Sequence, residues 1–146
     1  MANPVQLHTP SVTDARSIAL LSNELGYPVA EDVMAARIAT LLDRDDHHIV
    51  VADVSNEVAG WIQVHVTMSL ESGLRTEIVG LVVGAKFRRN GIGRLLVEDA
   101  INWSRRLDAE TLVVRSNVVR AESRQFYPAI GFEFTKTQAV YRMRLR

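Results

Sequence analysis

The chain contains no cysteine. Disulfides, thiolate metal sites and cysteine nucleophiles are therefore excluded. Neither sign of charge prevails: 17 Lys and Arg stand against 17 Asp and Glu, a formal net charge of +0. Nothing global directs such a chain to nucleic acid or to an anionic membrane. No apolar run approaches the ~20 residues of a membrane-spanning helix, and residues 1–6 lack the apolar core of a signal peptide. There is no internal repeat, no low-complexity segment and no linker. The expectation is a cytoplasmic protein without a nucleic-acid or membrane partner.

What is present suits a packed domain. The 146 residues are 47% hydrophobic, enough for one core and too much for disorder. One domain over 1–146 is expected. Val5 to His8 reads as a short strand. Ser11 and Asp14 have the form of a capping box, and a helix follows to about Leu25, with Ile18, Leu21 and Leu25 on one face. A second helix from about Glu31 carries Val33, Met34, Ile38, Leu41 and Leu42 at helical spacing. His48 to Val54 and Val58 to Thr67 form a hairpin across a turn at 55–57. Residues 71–75 read as a polar connection, and Glu77 to Val83 as the next strand.

A helix from Ile92 to Leu107 is expected to bury Leu95, Leu96, Ala100, Trp103 and Leu107. Thr111 to Ser116 reads as a strand, and Ala121 to Ala129 as a short helix. Gly131 suits the left-handed residue that ends it. Phe132 to Thr135 and Val140 to Leu145 read as closing strands. In the last, Tyr141, Met143 and Leu145 alternate with Arg142, Arg144 and Arg146, one buried face and one wet face. The order β-α-α-β-β-β-α-β-α-β-β predicts an α/β (mixed α+β) fold: a mixed, splayed sheet of six or seven strands with helices on both faces.

Most of the functional information lies between 77 and 97. An apolar strand leads to a basic turn, two glycines one residue apart, and an amphipathic helix. Gly91 and Gly93 let backbone N–H groups approach a ligand, and the helix start aims its dipole and its unpaired N–H groups at the same spot. Arg88, Arg89 and Arg94 add charge. Such a place binds phosphate or pyrophosphate. A nucleotide P-loop needs Lys and then Ser or Thr after its glycine, and Gly93 is followed by Arg94 and Leu95. A dinucleotide fold needs a third small residue where Leu96 stands. On the residues alone, a tight turn with a solvated basic edge stays open.

The pattern Arg88-x-x-Gly91-x-Gly93 after Leu81-Val82-Val83 resembles the acetyl-CoA signature of the GNAT superfamily of N-acetyltransferases. The run Phe126-Tyr127-Pro128-Ala129-Ile130-Gly131-Phe132 is similar to that family's Phe-Tyr-x-x-x-Gly-Phe element, and the element order agrees from end to end. The resemblance implies acetyl-CoA as cosubstrate, with no metal. It implies that the main chain of Leu81, Val82 and Val83 pairs with the pantetheine arm, as an added strand does. The N–H groups of Arg89, Asn90, Gly91, Ile92, Gly93 and Arg94 would then hold the pyrophosphate, with Arg88 and Arg94 as side-chain contacts. Tyr127 matches the family's general acid, against a plain packing role for an aromatic residue. Glu77 matches a general base used in part of the family, against an exposed strand-end glutamate or one that only binds the substrate cation; His65, His47, His48 and Glu71 are weaker choices.

Two positions depart from the family. The asparagine that many members carry seven residues before the tyrosine is Arg120 here, and Asn117 lies ten before. Either is a candidate contact to the cosubstrate. A glutamate that some members use on the later strand is replaced by Leu112-Val113-Val114. The acceptor pocket of the family is built from segments that correspond to 11–42 and 67–76. Asp14, Glu24, Glu31, Asp32, Glu71 and Tyr27 there would give an acidic rim, suited to a cationic amine. The implied activity is acetyl transfer to a primary amine of a small molecule or peptide by direct attack in a ternary complex. The alternative is a non-catalytic acyl-CoA-binding sensor or interaction module. The last strand also suits edge pairing with a second copy, a homodimer.

Overall fold

The computed structural model of the protein describes residues 4–117 and 120–146. They form two compact units, one ending at Val114 and one spanning Arg115–Arg146. The first unit holds a five-stranded sheet in the order β1 (Val5–His8), β2 (His47–Val54), β3 (Glu57–Ser69), β4 (Gly73–Val83), β5 (Leu112–Val114). Neighbours are antiparallel except β4 and β5, which are parallel and joined through α3 (Ile92–Arg106). The helices α1 (Ala15–Glu24) and α2 (Glu31–Leu42) fill the connection from β1 to β2. The mixed α/β architecture follows the expectation from the sequence.

Period-2 alternation decides which helix covers which face. Val51 and Trp61 stand opposite each other and pack with Ala15, Ile18 and Ile38 of α1 and α2. The intervening residues face α3. Thr76, fully buried, shares a 2.6 Å hydroxyl hydrogen bond with Ser104 of α3, and Leu96 of α3 lies against Gly60. On the same face, His48 of β2 makes a 2.6 Å bond to Asp99 and stacks on Trp103. Ile62, Val64, Ile92, Leu96 and Val97 form the dry centre of this layer.

Several boundaries differ from the sequence reading. β4 begins at Gly73, because β3 continues to Ser69 and supplies ladder partners for residues 73–76. Leu95 and Leu107 of the α3 segment are exposed, whereas Leu96 and Ala100 are buried. The expected sheet of six or seven strands is a sheet of five among the described residues.

The second unit contains α4 (Ala121–Ala129) and an extended tail. Gly131 ends α4 with φ +107°, and the Phe132 N–H returns to the Tyr127 carbonyl at 3.0 Å. Neither Phe132–Thr135 nor Val140–Leu145 forms a strand. Alternation sets which side chains share a face, but a strand also needs a partner backbone, and this segment has none in register among the described residues. Its apolar residues are accordingly bare: Tyr141 is 93% exposed and Leu145 88%.

Candidate functional site

The glycine turn grows directly out of β4. Gly84 donates its N–H to the Ala59 carbonyl at 2.8 Å, and an added Cβ there would meet Leu21 at 2.9 Å. A 3-10 turn over Ala85–Phe87 follows. The Glu24 carboxylate at the end of α1 accepts the Ala85 N–H at 3.1 Å, and Lys86 pairs with Glu57 at 2.7 Å. The approach to the turn is thus pinned from α1 and from β3.

Within the turn the chain takes the left-handed conformation twice, at Arg89 (φ +68°) and at Gly91 (φ +77°). For arginine this costs roughly 1–3 kcal/mol. Strain of that kind persists where the surroundings impose it, and here it precedes the first turn of α3. Gly91 is the N-cap residue and offers no side-chain cap. The Asn90 amide turns away to the Phe87 carbonyl at 3.2 Å. The first N–H groups of α3, from Ile92 to Arg94, therefore have neither an intrahelical acceptor nor a capping side chain. Buried Ile92 fixes the helix start. Arg88 and Arg89 are exposed, and Arg94 makes only a loose 3.3 Å pair with Glu98 along the helix. The arrangement can hold a diphosphate on backbone donors with guanidinium groups at its rim.

β4 supplies a second feature. Gln63 of β3 pairs with Gly80 while Val64 pairs with Ile78, so Val79 is an extra, bulged residue. A bulge leaves its extra residue out of the ladder. β5 accompanies β4 only from Thr76 to Ile78. Residues 79–83, with Leu81, Val82 and Val83 among them, run on with no β5 partner beside them. An edge of that kind accepts an amide-bearing arm as an added strand.

The bulge also decides what stands near Glu77. Across the sheet, His47, His65 and Glu77 form one row. Next to it, Thr67 pairs with Arg75 and Gln63 with Gly80. This row continues the face that α1 and α2 cover around Trp61. Rings of His47 and His65 lie 5.4 Å apart, and the Gln63 amide is 3.2 Å from Nδ1 of His47. Burial pushes the His47 pKa down; Asp46 opposes this, while His65 and Arg44 add to it. His47 is thereby kept neutral and able to accept the amide proton. Among the described residues no group of three or more His, Asp and Glu is arranged to hold a metal ion.

Of the acids expected to line the acceptor side, two are occupied structurally. Asp14 accepts the Ser11 N–H at 2.9 Å, and Glu24 is held by Ala85. Glu31 and Asp32 sit in the first turn of α2, where they offset the helix dipole.

Tyr127, Arg120 and Asn117 belong to the second unit. Tyr127 is half-buried between the rings of Phe126 (5.1 Å) and Phe132 (5.6 Å). Burial raises its phenol pKa, and the charge of Arg120 pulls it the other way. The net direction is upward, so the phenol holds its proton more firmly than a free tyrosine does. The sequence reading placed Arg120 as a cosubstrate contact and missed this influence on Tyr127. It missed Arg75 as well, because residues 71–75 read as a polar connection, whereas from Gly73 on they continue β4 beside β3.

A profile of the acetyltransferase (GNAT) family matches residues 13–132. Aminoglycoside N(6')-acetyltransferase type 1 of Stenotrophomonas maltophilia is 25% identical over 138 residues, which cover 91% of this chain and 90% of the relative. Among solved structures, aminoglycoside N-acetyltransferase AAC(6')-Iy in complex with CoA aligns with a TM-score of 0.87 at 18% identity, covering 99% of this chain and 97% of that one. Glucosamine-6-phosphate N-acetyltransferase from Arabidopsis thaliana aligns with a TM-score of 0.82 at 18% identity, covering 97% and 99%.

Proposed function

The chain belongs to the acetyltransferase (GNAT) family, and from that premise we propose that it transfers the acetyl group of acetyl-CoA to a primary amine by direct attack in a ternary complex. The observation that carries this reading is the uncapped start of α3 behind two left-handed residues, beside a β4 edge that β5 leaves free. The cosubstrate supplies an activated acetyl thioester. The N–H groups of Ile92, Gly93 and Arg94 hold its diphosphate. The main chain of residues 79–83 aligns its arm, and an N–H freed by the Val79 bulge stabilises negative charge that develops on the thioester oxygen. Glu77 takes the proton that the ammonium must lose before attack, directly or through water. Tyr127 gives its proton to the departing thiolate. With no cysteine in the chain, a cysteinyl acyl-enzyme has no place in the scheme.

The acceptor is a primary amine on a small molecule or peptide. The curated relative and several structural neighbours carry aminoglycosides in their names, which makes an aminoglycoside the first amine to assay. The reading takes residues 1–146 as one catalytic domain at work in the cytoplasm. No helix among the described residues is long and apolar enough to cross a membrane. It further takes two copies to associate through the Val140–Leu145 segment, whose apolar side chains are bare in the single chain.

Free-thiol release from acetyl-CoA over a panel of amines is the test. Amine-dependent release supports the enzyme. Acetyl-CoA binding with no release for any amine replaces it with the acyl-CoA-binding module.

A further inference from the structure

The sheet face around Glu77 carries charge of both signs. Arg75 and Glu77 lie two residues apart on β4 and share that face with His65 and Thr67 of β3 and His47 of β2. Their Cα atoms are about 6.7 Å apart by strand geometry. Asp46, the acid just before β2, is committed to Arg44 by two hydrogen bonds of 2.9 and 2.8 Å.

Arg75 itself has no such commitment. Its Nε is buried and without a hydrogen-bond partner. None of the ion pairs among the described residues includes it. A buried N–H of a permanent cation left unmatched is costly, and proteins seldom retain one unless something else supplies the acceptor. The planar donor fork of a guanidinium fits an oxyanion best.

We propose that Arg75 binds an acidic group, a carboxylate or a phosphate, carried by the acceptor a few bonds from its reactive amine. The acceptor is then a zwitterionic amine, with its ammonium at Glu77 and its oxyanion at Arg75. This rests on the acetyl-transfer reading and narrows it. The fold does not decide the point, since proteins of this architecture are named for aminoglycosides and for an amino-sugar phosphate alike. The floor of the site decides it. One carboxylate and one guanidinium complement a zwitterion, whereas a polycation would place a charge against Arg75.

Two matched pairs separate the oxyanion sources: lysine against cadaverine for carboxylate, and glucosamine 6-phosphate against glucosamine for phosphate. Kanamycin serves as the polycation. With the protein saturated in CoA, the acid-bearing member of one pair raises the melting temperature and its counterpart without the acid does not. With acetyl-CoA, the same member shows kcat/KM about tenfold or more above its counterpart, the scale of one charge-assisted contact. Arg75→Gln removes both differences and leaves the acid-free member as it was; Arg75→Lys restores part. Equal response within both pairs, or an Arg75→Gln variant that lowers acid-bearing and acid-free amines alike, overturns the proposal. Stabilisation without thiol release sinks acetyl transfer and leaves the recognition standing. Turnover of kanamycin alone, unchanged in Arg75→Gln, does the reverse.

Discussion

Gly60 of β3 lies opposite Val83 in the strand proposed to carry the cosubstrate. A Cβ added there would lie 2.7 Å from the Val82 carbonyl oxygen, with Leu96 Cδ1 and Val83 Cα both at 3.4 Å. The first contact is with backbone, so no rotamer change relieves it. Gly60→Ala must push β3 from β4, or bend β4 at Val82. Overpacking of this kind costs about 1–3 kcal/mol, and the backbone neighbour argues for the upper half. For a chain of this size each kcal/mol lowers Tm by roughly 2–4 °C, so a fall of roughly 4–12 °C is expected. Gly91→Ala is the contrast. No atom lies within 4 Å of its added Cβ, and its cost is only the φ of +77°, about 1–2 kcal/mol. Thermal unfolding followed by circular dichroism measures both. Acetyl-CoA should still stabilise Gly91→Ala, though less, because the amides it needs are displaced rather than lost. A Gly60→Ala protein that melts within a degree of the parent would refute the claim that β3 and β4 are locked at this point.

Three further outcomes are expected. Tyr127→Phe should bind acetyl-CoA as the parent does and lose about 10²-fold or more in kcat, the scale of a general acid; unchanged kcat in steady-state kinetics removes the phenol from the reaction. The Arg44 guanidinium beside Asp46 lowers that carboxyl from 3.8 to about 2, so the pair is fully formed above 3.8 and lost as pH falls through about 2; Arg44→Gln should return the midpoint toward 3.8 in a carboxyl-carbon NMR titration, and an unmoved midpoint contradicts the pairing. Light scattering should give twice the 16.3 kDa chain mass, and a double Tyr141→Asp, Met143→Asp variant should give a folded monomer; a monomeric parent ends the case for association through the tail.

How far the sequence reveals this molecule depends on where its signals are local. The glycine turn and the start of α3 at Ile92 are local in kind, set by φ at Gly91 and by amphipathic spacing, and both are where the sequence reading puts them. The same holds for α2 from Glu31 and for α4 with its glycine stop. Pairing is not local. Residues 71–75 read as a polar connection, yet from Gly73 on they are strand because β3 lies beside them. Strict alternation from Glu77 would align it with Val79 and Leu81; the bulge aligns it with Gly80 and Val82 instead. The face that Arg75 and Glu77 share with His65 and His47 is therefore hidden in the sequence even though each of these residues is polar. Tyr141, Met143 and Leu145 fail the other way, since their alternation is real and their partner strand is absent from the described chain.

A crystal structure grown with acetyl-CoA tests the central claim most directly. The account predicts the diphosphate on the N–H groups of Ile92, Gly93 and Arg94, and the pantetheine arm paired along residues 79–83. A diphosphate bound elsewhere, with those amides facing solvent, would contradict it.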